Sequence, residues 1–306
     1  MAEADALLDA RLLDLDPPTL VPSTPPGQVG AWKRNRGVRG RIRRLGAAVL
    51  LAARIPTTRW RALPDFVIIG AQKAGTTSLY AALVSHPDVH PAFRKEVHFF
   101  DTDHATDLGW YRRHFPIDRG DWLTGESSPY YLFHPAVPAR MAATIPNVAL
   151  IAVLRDPVAR AISQFHHATS WGLEDRPIEI ALDPATPEDL APLDDATWYD
   201  RADSPARERA YLARGRYAEQ LERWFAEFDR DRILVLESGE LDGGTAIPKT
   251  ERFLGLREQP LSAVPQRNVG SYAPPDPSFV NTLVEYFAPH NERLVELLGR
   301  PFEFSR

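Results

Sequence analysis

The chain has no cysteine. That excludes disulfides, thiolate nucleophiles and cysteine-ligated metals, and it fits a reducing cytoplasm, the location we expect. Lysine is almost as scarce. Only Lys33, Lys73, Lys95 and Lys249 stand among 36 basic residues, so each lysine marks a position to inspect. Long apolar runs are missing as well: the stretch 45–55 contains Arg54 and is about half the roughly twenty residues that a bilayer-spanning helix needs. An export signal starts with its basic segment, whereas this chain starts acidic, so we expect neither a transmembrane span nor an export signal. The nine histidines show no ligand spacing, and no metal site is expected.

What charge there is lies unevenly. Five acids against Arg11 give the first thirty residues −4, and residues 31–61 carry ten bases and no acid. With a net charge of −5 for the whole chain, the remainder stands at −11. An acidic body argues against nucleic acid or a long polyanion as partner, because such binding depends on basic surface. Two readings stay open for a basic amphipathic helix over about 39–55. It touches a membrane surface peripherally, or it packs on the domain with a solvated arginine face.

At 306 residues and 44% hydrophobic, the chain can bury a sizeable core. Prolines 17, 18, 22, 25 and 26 make a linker-like arm, which leads us to place an N-terminal arm at 1–63 and one folded domain at 64–306. Short apolar runs at 66–69, 148–154 and 233–236 read as buried strands. Helices are expected at 77–85, from Pro157 to about Ser170, and as long amphipathic segments over 207–228 and 278–298. Strands alternating with helices place the chain in the α/β class with a mostly parallel sheet. The acidic, Pro-rich stretch 171–204 reads as a surface loop or lid. Oligomeric state is not legible.

Three motifs carry chemistry. In the first, the strand 66–69 runs through Gly70-Ala71-Gln72-Lys73-Ala74-Gly75 into Thr76-Thr77-Ser78. A glycine turn, free helix-start N–H groups, three hydroxyls and a lysine make an anion cradle. A nucleotide-kinase loop would place lysine directly after the second glycine, where this chain has Thr76. The second motif, Arg155-Asp156-Pro157 with Ser163 eight residues after the arginine, offers fork-like and neutral donors to a phosphate. The third is Lys95-Glu96-Val97-His98-Phe99-Phe100-Asp101. Each also has a plainer reading: an ordinary βα turn, a capped helix start, and a charged turn before a core Phe-Phe pair.

Together the motifs resemble the sulfotransferases that use 3′-phosphoadenosine 5′-phosphosulfate (PAPS), in particular the bacterial relatives of heparan sulfate and carbohydrate sulfotransferases. The resemblance spans about 64–300. It implies a P-loop-like three-layer sandwich with a central parallel sheet flanked by helices. It also implies that Gln72, Lys73, Ala74, Gly75, Thr76, Thr77 and Ser78 bind the 5′-phosphosulfate, with Lys73 neutralising the leaving phosphate. Arg155 and Ser163 would bind the 3′-phosphate. Glu96 would be the general base, with His98 and Asp101 in support. Gly125-Glu126-Ser127-Ser128-Pro129-Tyr130-Tyr131 resembles a segment near the acceptor cleft. Gly215-Arg216-Tyr217 with Leu221, and Arg267-Asn268 with Tyr272, resemble stretches around the nucleotide. The chain departs from the family in having Ser127 where a lysine is usual and in lacking a basic C-terminal loop. Arg267 is the candidate replacement. The expected acceptor is a hydroxyl or amine of a carbohydrate, glycolipid or secondary metabolite. The rival readings are a P-loop small-molecule kinase, which needs the lysine placement above plus an acidic metal ligand, and a nucleotide-binding scaffold without activity.

Overall fold

Three apolar runs lie side by side at the centre of the molecule. The computed structural model describes residues 45–102, 106–188, 190, 192–201, 204–259 and 272–305. Five strands, β1 (Phe66–Gly70), β2 (Val89–Pro91), β3 (Leu123–Ser127), β4 (Ala149–Leu154) and β5 (Ile233–Glu237), form one sheet in the order β2-β3-β1-β4-β5. Every pairing is parallel. All of β1 and nearly all of β4 are buried, which is why their sequences are unbroken runs rather than alternating ones. Parallel neighbours need crossover connections, and helices supply them.

The longer helices are α1 (Thr76–Leu83), α2 (Val137–Thr144), α3 (Pro157–Ser170), α4 (Tyr217–Glu227), α5 (Ala246–Phe253) and α6 (Pro277–Leu298). Helix α1 packs with α5, α4 packs with both α2 and α6, and α3 packs with α6. The result is the three-layer sandwich with a central parallel sheet expected from the motifs. Asp156 caps α3 by accepting from the Val158 N–H at 2.8 Å, and Gly299 ends α6 at φ 65°.

The structure departs from the sequence reading in three places. Strands β2 and β3 carry too few apolar residues to announce themselves: β3 reads Leu-Thr-Gly-Glu-Ser, and its polar residues are nonetheless buried. The expected helix over 207–228 is broken into Pro205–Glu208, a 3-10 turn at Ala213–Gly215, and α4. The reason is tertiary. The Glu188 carboxylate accepts from the Leu212 and Ala213 N–H groups, each at 2.7 Å, and buried Arg160 and Arg214 take carbonyls of the segment. Finally, the stretch 171–204 is more than a surface loop, because Leu182 and Tyr199 are buried within it and short helices form at Ile178–Ala181 and Ala196–Asp200.

Residues 45–53 are helical and lead into a 3-10 helix, Ile55–Trp60. This segment is tied to the domain. Arg61 donates to the Phe115 carbonyl at 2.7 Å, and the Ala62 N–H donates to the Pro116 carbonyl at 3.0 Å.

Gly125 of β3 stands opposite Phe66 of β1, and a Cβ there would lie 2.5 Å from the Phe66 carbonyl oxygen. Gly46 has nothing within 4 Å of the same point. Urea denaturation should therefore show Gly125→Ala destabilised by about 2 kcal/mol or more, since overpacking against backbone has no flexible outlet. Gly46→Ala, on the exposed helix, should be neutral or gain up to about 1 kcal/mol.

Candidate active site

At the carboxyl end of β1 the chain turns through residues 71–75. The Ala71 N–H donates to the Val153 carbonyl of β4 at 2.7 Å, and the Ala74 N–H closes the turn onto the Ala71 carbonyl at 3.2 Å. Gly75 caps α1 at φ 97°, where a side chain would be strained and its Cβ would meet Leu241 at 2.6 Å. The first turn of α1 therefore points unsatisfied N–H groups and the positive end of its dipole into the strand-end cleft. Thr76 and Ser78 are buried, and Thr77 is half-buried.

Lys73 projects from this turn at φ 70°. Among the described residues its ammonium has no ion-pair or hydrogen-bond partner. Burial, and then the Arg155 charge, push it below the usual lysine range. Arg155, at the end of β4, donates to the Lys73 carbonyl at 3.0 Å. Tyr217 lies fully buried and donates its hydroxyl to the Arg155 carbonyl at 2.9 Å, so it positions the strand end. Ser163 sits on the buried face of α3. Arg267 and Asn268 lie outside the described residues.

The loop 95–101 forms the other wall as a line of alternating charges. Lys95 reaches Glu96 at 2.7 Å, Glu96 faces His98 Nε2 at 3.4 Å, His98 Nδ1 bonds Asp101 at 2.8 Å, and Asp101 pairs with Arg207 at 2.8 Å. Burial works to raise the Glu96 carboxyl, yet Lys95 and His98 outweigh it and hold it at about 2. Because 45% of this side chain faces solvent, water screens part of that attraction. Burial also opposes charge on His98, but Asp101 and Glu96 prevail and raise it to about 9, so the ring is an imidazolium at neutral pH. Its backbone is left-handed, at φ 56°, a conformation that persists only where the surroundings hold it.

Those surroundings centre on Glu126, fully buried at the end of β3. Its carboxylate accepts from Ser128 Oγ at 2.6 Å, the Tyr111 hydroxyl at 2.7 Å and the Val97 N–H at 3.1 Å. The Tyr131 hydroxyl approaches it at 3.4 Å and also accepts from the Phe99 N–H at 2.8 Å. Glu126 thus fixes the backbone on both sides of His98.

A cavity of about 170 Å³ is lined by Gln72, Glu96, His98, Pro129, Tyr130, Arg207 and Arg214. It joins the anion turn to the charged loop. Arg207 and Arg214 were not distinguished in the sequence. Arg214 is buried, bonds Gln72 Oε1, and lies 4.8 Å from the Tyr130 ring centre; burial lowers it to about 10. His167 on α3 lies within electrostatic reach of Lys73, and burial and then Lys73 push it down to about 4. A larger open depression, about 460 Å³, lies at the amino end of β4 and β5 and holds none of this chemistry.

Fold and site together define a class: parallel α/β proteins with an anion cradle at the strand ends and a carboxylate beside it. Comparison with known proteins narrows the class. The family described as the sulfotransferase domain matches residues 63–267, and the chain belongs to that family. It is 31% identical over 242 residues to heparan sulfate glucosamine 3-O-sulfotransferase 3A1 of Homo sapiens, covering 76% of this chain and 56% of that one. Against heparan sulfate glucosamine 3-O-sulfotransferase 6 of Homo sapiens the identity is 30% over 270 residues, covering 79% and 74%. The solved sulfotransferase of Alicyclobacillus acidocaldarius superposes with TM-score 0.62 at 29% identity, over 80% of this chain and 100% of that one. The chain spans about half the length of the first of these relatives, and 30% of that of bifunctional heparan sulfate N-deacetylase/N-sulfotransferase 4 of Mus musculus.

The His98 network carries a pH dependence. Its folded value, about 9, lies above the 6.5 of an unperturbed histidine, so its contribution to stability is complete below about pH 6.5 and is lost as pH rises through about 9. The melting temperature of the wild type should fall more between pH 7 and pH 9.5 than that of His98→Gln.

Proposed function

We propose that the chain transfers a sulfuryl group from PAPS to a hydroxyl or amine of a carbohydrate, glycolipid or secondary-metabolite acceptor. The observation that carries this reading is the Lys73 ammonium. It is half-buried beside Arg155 at a helix N-terminus, without a counter-ion among the described residues. Two cations crowded in this way are stabilised by an anion bound between them, and the first turn of α1 supplies the donors such an anion needs. The residues therefore fit a phosphosulfate.

PAPS would supply the sulfuryl group, with adenosine 3′,5′-bisphosphate as the leaving group. Residues 72–78 hold its 5′ side through N–H groups, hydroxyls and Lys73, whose charge offsets the one growing on the leaving phosphate. Arg155 and Ser163 hold the 3′-phosphate, and the strand-end position of Arg155 is maintained by Tyr217. Glu96 takes the acceptor's proton as its oxygen or nitrogen bonds to sulfur. It is ionised at neutral pH, but the paired Lys95 and His98 make it a weak base in the free protein. A ligand that draws either cation away raises its basicity toward the range useful for proton transfer. The names of the relatives specify glycans, which supports a carbohydrate acceptor, whereas Ser127 and the acidic body weigh against a long polyanion.

Calorimetric titration with adenosine 3′,5′-bisphosphate, ADP, and ATP with magnesium tests the donor. Preferential binding of the bisphosphate is expected, and Arg155→Ala should weaken it about tenfold while leaving ADP nearly unchanged. Binding of ATP with magnesium alone would overturn the reading. In a sulfuryl-transfer assay over a panel of glycan acceptors, Glu96→Gln should lower turnover by about 10²-fold or more, as expected for loss of a general base. Its bisphosphate affinity should remain; unchanged turnover would remove Glu96 as the base.

A further inference from the structure

Every residue of the helix 45–53 is apolar or glycine, so it shows apolar side chains to solvent as well as on its half-buried side. Ala47, Leu50 and Leu51 form that half-buried side. The opposite side carries Leu45, Ala48, Val49 and Ala52 at spacings of three and four, all exposed, with Leu45 68% and Val49 60% open. Four arginines of the face expected for this segment, Arg39, Arg41, Arg43 and Arg44, lie outside the described residues, and Arg54 is turned to the Arg113 carbonyl and the Phe93 ring. The next turn continues the strip with Ile55 (56%) and Trp60 (50%), and no residue of Ile55–Trp60 is buried. Leu108 and Ile117, also exposed, belong to elements that touch it. These six make up half of the twelve large exposed apolar side chains among the described residues, where scattered single ones would be ordinary.

Charge accompanies the strip in the sequence: residues 31–61 carry ten bases and no acid, against −11 for the chain beyond them, and seven of the ten precede residue 45, outside the described residues. Of the other three, Arg54 and Arg61 donate to the Arg113 and Phe115 carbonyls and Arg59 is exposed. Arg59 lies 4.1 Å over the Trp60 ring, the pairing of aromatic and cation found where one end of a side chain is apolar and the other wet. Of the nearby acids, Asp107 is paired with Arg113 at 3.6 Å, while exposed Asp118, whose N–H donates to the Trp60 carbonyl at 2.8 Å, offsets part of the positive charge. No described helix is long and apolar enough to cross a membrane, so a membrane contact of this segment lies in the plane of the interface.

We propose that the face built by residues 45–60 docks on an anionic lipid bilayer. Apolar side chains enter the headgroup boundary while the basic segment meets the anionic headgroups, the two attractions that together hold interfacial helices. The docking face adjoins the active-site loop: Arg54 stacks 4.8 Å over Phe93, three residues before Glu96, and donates to the Arg113 carbonyl at 3.1 Å. Bound in this way, the protein would present its cleft to acceptors held at a membrane. That consequence rests on the transfer reaction proposed above, whereas the docking does not.

Cosedimentation of the full chain with phosphatidylglycerol/phosphatidylcholine vesicles, and with phosphatidylcholine alone, tests it without any activity readout. Binding to the anionic vesicles is expected, weakened at high salt, and reduced about tenfold or more in Leu45→Asp/Val49→Asp, since each change removes an exposed apolar side chain that the bilayer would bury. Both positions are solvent-exposed, and an unchanged melting temperature would show that the variant is folded. Failure to bind anionic vesicles, or binding indifferent to the double substitution, overturns the proposal. So does a dimer that these substitutions dissociate in the absence of vesicle binding, which would assign the strip to a second copy of the chain.

Discussion

A carboxylate placed where no water reaches it is costly unless every oxygen is satisfied, and Glu126 meets that condition by gathering donors from three parts of the chain. Tyr111 arrives from the helix Leu108–Arg112, Ser128 from the end of β3, and the Val97 N–H from the active-site loop. The loop 95–101 has no regular structure of its own, so its amides need acceptors. Glu126 and, through Tyr131, the same cluster supply them. This explains why β3 is polar and yet central: its last residues are a support for the loop. The left-handed backbone of His98 and the direction in which Glu96 points both follow from this anchoring.

The two walls of the cleft are electrostatically unlike. On the loop side the charges alternate from Lys95 to Arg207, so each is offset by a neighbour, and the pairs tune one another: Asp101, with Glu96, makes His98 an imidazolium, and Lys95, with His98, makes Glu96 a poor base. On the turn side Lys73 stands next to another cation at the N-terminus of α1, without a counter-ion among the described residues. One wall has its charges paired among the described residues and the other does not, an asymmetry that suits the donor and acceptor sides of the proposed reaction.

Arg214 connects the two. It is buried, lacks a carboxylate partner among the described residues, and spends its donors on Gln72 and on the carbonyls of Ala206 and Arg207. A guanidinium used in this way ties the anion turn to the segment that carries Arg207. The break in the helix expected over 207–228 is what allows it, because a continuous helix would have kept those carbonyls for itself.

The sequence by itself determined the elements whose signals are local. The strands β1, β4 and β5 are apolar runs because both faces of a parallel sheet are covered. The glycine turn into α1 and the Asp156-Pro157 start of α3 are equally legible, since a positive φ and a side-chain cap need particular residue types. Lys73, Glu96 and Arg155 stood out for the same reason, two of them as a lysine or its neighbour in a chain with few lysines. Tertiary structure alone decided what depends on burial shared between distant segments. Strands β2 and β3 are made by their partners, and the helix over 207–228 is undone by Glu188, Arg160 and Arg214. Among so many arginines, nothing local distinguishes Arg207 and Arg214, and nothing local keeps His167 neutral while His98 is charged. Propensity and periodicity act over a few residues, whereas the cost of burying a charge is set by whichever groups the fold brings within reach.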